Sequence, residues 1–314
     1  MTAALERSSA SQLKDLVERA IDRLIAAAVD DPRLDAELLM AFAAGVTRER
    51  LLADSVVIDD ALRERYAALI DLRAARKPLA YIVGGREFYS LELEVSPEVL
   101  IPRPETETLV AAALSFIAGR PSAIAGRPSA RILDLCTGSG AIALALAANA
   151  PGAKIVATDV SADALAIAAR NAARLGLAAR VEFRRADCWT AIDGGDPLGR
   201  FDLFDLIVAN PPYIRENEIV ALAPEIRNYE PHIALAGGFD GLVFYRRIAA
   251  GAGKHLTPGG ALMVEVGQGQ ATEVAAIFRA AGLGEIALRN DLAGIARVVL
   301  AGASGSRDSS QRPE

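Results

Sequence analysis

Asn210-Pro211-Pro212-Tyr213 stands directly after the apolar run Leu206-Ile207-Val208-Ala209. Two consecutive prolines have no backbone N–H and hold φ near about −65°, so this loop keeps its shape with carbonyls free to accept hydrogen bonds. Asn210 adds a side-chain acceptor, and Tyr213 a flat face with a polar tip. Such a cluster suits a planar nitrogen group. An amide-like nitrogen is a poor nucleophile because its lone pair is delocalised, so a catalyst must orient it and favour loss of a proton as a new bond forms. The Asn210 side chain and the Pro211 carbonyl can fix both N–H bonds and strengthen as positive charge develops on nitrogen. The expected catalytic set is therefore Asn210, Pro211 and Tyr213, and the expected chemistry is methyl transfer to an amino nitrogen. Asn-Pro alone also marks ordinary turns.

A second segment has the form of a ligand turn. Asp134-Leu135-Cys136-Thr137-Gly138-Ser139-Gly140-Ala141 follows an apolar strand and opens a helix, where glycines let a ligand approach the backbone. Gly138, Gly140 and Ala143 satisfy the G-x-G-x-x-G/A spacing of nicotinamide enzymes, with Asp159 at a suitable distance for a ribose hydroxyl. Asp134, however, puts a carboxylate just before the turn, which would repel a pyrophosphate and suits a cationic ligand. S-adenosylmethionine, with a sulfonium and an ammonium, meets that demand. Asp159 ends the next strand and is expected to accept from the ribose, although it or Ser161 could equally cap the following helix. Asp187 is expected to accept from the adenine amino group, with Cys188 and Trp189 beside the ring, although Trp189 could instead anchor a core. The expected cofactor set is Asp134, Cys136, Thr137, Gly138, Ser139, Gly140, Asp159, Asp187, Cys188 and Asn210.

Composition narrows the remaining classes. The chain has 314 residues, 52% of them hydrophobic and 24% charged, as expected for a globular protein with one catalytic domain and a smaller one. A net charge of −6 argues against broad phosphate-backbone binding. His232 and His255 are the only histidines, too few for a three-histidine metal site, and no metal is expected. Cys136 and Cys188 are read as small pocket or core residues, without a disulfide framework. With no leader pattern and no uninterrupted apolar segment of roughly 20 residues, a cytoplasmic protein without a membrane span is expected.

The elements that must position these residues follow from periodicity. Leu13, Leu16, Val17, Ala20, Ile21, Leu24 and Ile25 fall on one helical face. Asp31-Pro32, Thr47 and Asp59 or Asp60 read as helix starts, the last leading into Leu62, Tyr66, Leu69 and Ile70. Alternation at Phe88, Leu91, Leu93 and Val95 predicts a β-hairpin. Strands are then predicted at 131–135, 154–158, 180–184, 203–209, 260–266, 285–289 and 296–300, alternating with helices. The last two are joined by too short a turn for a parallel crossover and should be antiparallel. Glu105 and Glu107 belong at a helix N-terminus, with Arg103 near enough to pair with one of them. The heptapeptide Ile-Ala-Gly-Arg-Pro-Ser-Ala occurs twice in tandem over 117–130 and reads as a duplicated surface loop.

The fold class is thus α/β: a seven-stranded Rossmann-like sheet of the class I methyltransferase type, a small N-terminal helical domain and a β-hairpin connector. The expected boundaries are 1–85 for the helical domain, 86–104 for the connector, 105–301 for the methyltransferase domain and 302–314 for a disordered tail.

Together these residues resemble the release factor glutamine methyltransferases, the HemK/PrmC family, from about residue 11 to 300. The resemblance also rests on Tyr81-Ile82-Val83-Gly84-Gly85-Arg86-Glu87-Phe88-Tyr89, on Leu100-Ile101-Pro102-Arg103-Pro104-Glu105-Thr106-Glu107, on Tyr229-Glu230-Pro231 and on Gly237 to Leu242. It implies S-adenosylmethionine-dependent methylation of N5 of the glutamine in the Gly-Gly-Gln loop of class I peptide release factors. The glutamine carboxamide would be bound by Asn210, Pro211, Pro212 and Tyr213, and the helical domain would help to hold the release factor. Cys136 stands where many members have glycine, so the turn rests on Gly138 and Gly140. The main alternative is a nucleic-acid amino methyltransferase acting on adenine or guanine, because a base amino group fits the same acceptors. An oxidoreductase and a non-catalytic binding module are weaker alternatives.

Overall fold

A computed structural model of the chain describes residues 2–53, 56–119, 130–191 and 203–303. It divides into two compact units, Met1–Gly85 with Ala223–Tyr229, and Arg86–Leu222 with Glu230–Glu314.

The first unit is helical: α1 (Thr2–Ala26), α2 (Pro32–Ala44), α3 (Arg48–Ala53), α4 (Asp60–Ala74) and α5 (Leu79–Val83). Val17, Ala20, Ile21 and Leu24 of α1 pack with Leu39 and Met40 of α2 and Leu62, Tyr66 and Ile70 of α4. Ile25, expected on the same face, is 57% exposed, because it lies at the edge of the stripe one residue before α1 ends. Helix starts follow local chemistry. Asp59 accepts from the Leu62 N–H at 2.7 Å, a cap that contributes about 1 kcal/mol, and Thr47 accepts from the Arg50 N–H at 3.3 Å. Asp31 precedes Pro32 as predicted, but its side chain makes no cap bond; at φ −116° and ψ 63° it lacks the usual capping geometry.

A segment distant in sequence belongs to this unit. Residues 223–229, which contain α9 (Pro224–Tyr229), were expected within the methyltransferase domain. Glu225 instead accepts from Arg73 at 3.0 Å and from Arg76 at 2.6 Å, and the Tyr229 hydroxyl donates to the Ala75 carbonyl at 2.7 Å. Arg73 also reaches Asp35 at 2.6 Å. Ion pairs of this kind form between chain segments whose separation no local pattern encodes.

The second unit opens with a two-stranded sheet, β1 (Gly85–Phe88) and β2 (Leu91–Glu94), joined by Tyr89 and Ser90 at φ 51° and 60°. Positive φ at both central residues is the geometry of a tight hairpin turn. The main sheet contains β3 (Arg131–Leu135), β4 (Lys154–Asp159), β5 (Val181–Asp187), β6 (Thr190–Ala191), β7 (Phe204–Ala209), β8 (Leu256–Glu265), β9 (Gly284–Asn290) and β10 (Ala296–Gly302). Among the described residues its order is β6-β5-β4-β3-β7-β8-β10-β9. The seven expected strands are all present, and the two-residue β6 extends the edge by pairing antiparallel with β5. β10 runs antiparallel to both β8 and β9, as the short connection requires. Gly302, expected to begin the tail, pairs with Ala261 as the end of β10. Residues 304–314 and most of the tandem heptapeptide, 120–129, lie outside the described residues.

Helices α6 (Glu107–Ala118), α7 (Ala141–Asn149), α8 (Ala162–Arg174), α10 (Val243–His255) and α11 (Ala271–Ala280) complete the unit. Strand residues alternate between two apolar clusters. Leu206, Val208, Ala261 and Met263 join the cluster that includes α6 and α7, while Ile207, Ala209, Leu262 and Val264 join the one that includes α10 and α11. A sheet buried on both faces explains why these strands read as unbroken apolar runs.

Candidate functional site

Four neighbouring parallel strands, β5, β4, β3 and β7, end on the same side, and the chain segments leaving them line one cavity of about 290 Å³. Its position beside the first strand of the sheet is the switch point at which open α/β sheets bind ligands. From β3 come Cys136, Thr137, Gly138 and Ser139, from β4 Asp159, from β5 Asp187 and Cys188, and from β7 Asn210 and Pro212. Asp134, Gly140, Pro211 and Tyr213 are not on this wall.

The turn after β3 is held by carboxylates. Asp134 is fully buried beneath it, accepting from the Thr137 hydroxyl at 2.6 Å and from the Ala143 N–H at 3.2 Å through one oxygen. Its other oxygen has no partner among the described residues, and burial pushes the carboxyl up to about 7. Asp134 was expected to face the ligand; the side-chain alternation of β3 instead turns it inward, so it braces the turn from below. Gly140 lies at φ 83°, and a Cβ there would sit 3.1 Å from Ala168 and from Leu144, so glycine allows both the left-handed turn and close helix packing. Cys136 takes φ 59° without glycine. Its thiol is held up by a hydrogen bond with Cys188 and by burial, while the Cys188 thiol is lowered by the same bond and by nearby Arg247.

Asp159 lies on the cavity wall, accepting from the Gly138 N–H and the Ser161 N–H, each at 2.9 Å. Burial raises its carboxyl above the usual range against the pull of these bonds. Ser161 is the cap of α8, accepting from the Ala164 N–H at 3.1 Å, which leaves Asp159 free of that task. Beside the backbone N–H groups of Gly138, Ser161 and Val160 directed at it, the Asp159 carboxylate retains acceptor capacity for a ligand hydroxyl. Asp187 pairs with Arg247 at 2.7 Å, and both line the cavity. Trp189 does not. Its indole donates to the Arg247 carbonyl at 2.8 Å and stacks on His255 at 4.9 Å, and it packs so tightly on Gly251 that a Cβ there would lie 2.4 Å from the ring. The tryptophan anchors α10.

The tetrapeptide is braced from several directions. The Tyr213 carbonyl accepts from Gln270 at 2.9 Å, and Ile214 exchanges backbone bonds with Leu235 and Gly237 at 3.0 and 2.8 Å. Burial pushes the Tyr213 hydroxyl up to about 12. Among the described residues no hydrogen bond to the Pro211 carbonyl is found. Asn210 donates its amide to the Thr106 hydroxyl at 3.2 Å.

Several wall or supporting residues were not singled out from sequence for this site. Thr106, with its hydroxyl against Asn210, and Phe244 and Arg247 of α10 line the cavity; Glu265 ends β8 behind Asn210. Arg103 also lines it, but it pairs with Glu230 rather than with Glu105 or Glu107. Glu230 is almost completely buried and also accepts from the Ile101 N–H, so it is the stronger partner. Glu107, in the first turn of α6, accepts from the Tyr89 N–H at 3.0 Å.

The arrangement places the Asp159 carboxylate, an apolar slot and the Asn210 amide on one wall. Comparison with known proteins decides the family. A curated release factor glutamine methyltransferase from Cereibacter sphaeroides is 43% identical over 91% of this chain and 97% of its own length. The chain belongs to the release factor glutamine methyltransferase family. A relative of the same name from Agrobacterium fabrum is 44% identical over 88% of this chain and 92% of its own length. The PrmC N-terminal domain matches residues 15–84, and the methyltransferase small domain residues 122–227. Among solved structures, the hMettl16 catalytic domain in complex with a MAT2A 3'UTR hairpin covers 84% of this chain and 87% of its own, with a TM-score of 0.54 at 17% identity. That likeness shows the shared methyltransferase sheet alone, and the family's enzymes are methyltransferases.

Proposed function

We propose that this chain transfers a methyl group from S-adenosylmethionine to the side-chain amide nitrogen, N5, of the glutamine in the Gly-Gly-Gln loop of class I peptide chain release factors. The observation that carries this reading is the shared wall: Asn210 and Pro212 line the same cavity as Asp159 and the turn from Cys136 to Ser139. Bound S-adenosylmethionine would supply an electrophilic methyl on a sulfonium. Asp159 has spare acceptor capacity for a ribose diol, and the apolar wall beside Cys188 and Phe244 suits a flat ring. Asp134, buried beneath the turn, holds in shape the backbone from Cys136 to Ser139 that would receive the ligand.

For the acceptor, the Asn210 side chain and the Pro211 carbonyl would each take one N–H of the glutamine carboxamide. Both oxygens would hold the nitrogen in place and strengthen their bonds as positive charge develops on it. Tyr213, which follows the wall residue Pro212, would give the carboxamide plane a face to rest against. The helical unit would help to hold the release factor, and the enzyme would work in the cytoplasm; no helix among the described residues is long and apolar enough to cross a membrane. Radiolabelled S-adenosylmethionine, a release factor and nucleic acid in separate incubations test the reading. Label on the factor, lost when its Gly-Gly-Gln glutamine is replaced, is expected; label on nucleic acid alone would reject it.

A further inference from the structure

Asn210 presents a problem of orientation. A carboxamide has an oxygen end and a nitrogen end of nearly the same shape, and only the oxygen can accept from a substrate N–H. With the nitrogen end toward the cavity, two N–H groups would oppose one another and the acceptor site would be lost.

The structure surrounds Asn210 with groups that choose between the two ends. Thr106, 4% exposed, receives the Asn210 N–H on its hydroxyl at 3.2 Å. Glu265, 2% exposed, ends β8 beside β7: Ala209 pairs with Val264, so Asn210 and Glu265 are the next residues along the two adjacent chain segments, and Thr106 and Asn210 both pull the Glu265 carboxyl downward. One of its carboxylate oxygens, Oε2, has no partner among the described residues. A carboxylate left partly unpaired in the interior is unfavourable, and a glutamine of the same shape would avoid the charge. What a carboxylate alone supplies is acceptors without donors.

We infer that Glu265 is a positioning residue which, with Thr106, consumes both amide hydrogens of Asn210 and so turns the Asn210 oxygen toward the acceptor substrate. This inference rests on the proposed role of Asn210. The other polar and charged groups around Glu265 are Tyr213, Glu105 and Arg297, together with Tyr245, whose hydroxyl donates to the Glu265 backbone carbonyl at 2.9 Å. Burial pushes the Glu265 carboxyl up to about 7, against the pull of Thr106, Arg297 and Asn210. When it takes up a proton it becomes a donor, and the preference for one amide end weakens.

The test uses the full chain with labelled S-adenosylmethionine and a class I release factor. Wild type and Asn210→Ala are measured first; an unlabelled factor with wild-type enzyme would refute the proposed function itself. With that established, Glu265→Gln is expected to lower kcat roughly 10- to 100-fold, from misoriented substrate. The KM for the factor and the cofactor Kd should stay within about threefold. The wild-type kcat should rise with pH as Glu265 ionises, and this limb should vanish in Glu265→Gln, a change that a merely structural role would not produce. Thr106→Val is expected to lower kcat as well, with the two losses combining to less than their product. Unchanged kcat in Glu265→Gln, a persisting acid limb, or losses that multiply fully would overturn the inference. Should Glu265→Gln fail to fold, Thr106→Val decides alone: a lower kcat at unchanged cofactor Kd supports the inference, and an unchanged kcat overturns it.

Discussion

The carboxylate of Asp159 accepts the Gly138 N–H at 2.9 Å, tying the end of β4 to the tip of the turn that follows β3. One residue thus shapes the turn and faces the cavity. Asp159→Ala is expected to weaken S-adenosylmethionine binding about tenfold or more, through one lost ligand hydrogen bond and a loosened turn. Titration calorimetry measures this directly. A dissociation constant equal to that of wild type would remove Asp159 from the cofactor site.

Asn210→Ala separates binding from chemistry. Cofactor affinity should remain within a few-fold of wild type, while methylation falls roughly 10²- to 10³-fold, by analogy with deleting one preorganised transition-state contact. Calorimetry and single-turnover methylation give the two readings independently. Loss of cofactor binding in step with loss of rate would contradict the assignment of Asn210 to the acceptor.

Two buried carboxyls make stability depend on pH. Glu265 titrates at about 7 in the folded chain against an ordinary value of 4.5, and Asp134 at about 7 against 3.8. Between these limits the folded protein holds a proton that the unfolded chain has released, so stability is greatest below the unfolded value and is lost as pH rises through the folded one. The unfolding free energy of the ligand-free protein should therefore decline from pH about 5 to 7, each group contributing a slope of up to about 1.4 kcal/mol per pH unit. Glu265→Gln should flatten that slope by up to one such share, measured by urea unfolding at several pH values. A slope identical to wild type would show that Glu265 does not titrate in this window.

Gly241 carries a backbone demand that only glycine meets. At φ 73°, an added Cβ would lie 2.5 Å from the Tyr213 carbonyl and 2.8 Å from Gln270 Nε2. Gly241→Ala should cost about 1–3 kcal/mol and displace the Gln270 bond that holds Tyr213. Chemical unfolding and methylation rate should fall together. A variant as stable and as active as wild type would show that the loop can shift without disturbing the tetrapeptide.

The paired thiols should differ in reactivity. Cys188 is the better thiolate, because it accepts from Cys136 and lies near Arg247. Iodoacetamide is expected to modify Cys188 before Cys136, and S-adenosylmethionine to protect it, since both thiols line the cavity. Peptide mass spectrometry after timed alkylation distinguishes the two. Faster modification of Cys136, or no protection, would count against this order.

The sequence by itself determined what depends on neighbours along the chain. Apolar runs such as Leu206–Ala209 marked doubly buried strands, Asp59 marked a helix start, and the short link between β9 and β10 dictated their antiparallel pairing. Asn210-Pro211-Pro212-Tyr213 was legible as a rigid acceptor loop because two prolines fix the backbone wherever they occur. The tertiary structure alone decided which side chains meet. Thr106 and Asn210 are 104 residues apart, and Arg103 and Glu230 are 127 apart, separations over which no periodicity or turn rule operates. Asp134 turned inward, Trp189 went to α10, residues 223–229 joined the helical unit, and Glu265 came to lie behind the amide. Each depends on burial and on long-range pairing, whose free energy appears only once the sheet has brought distant strands together.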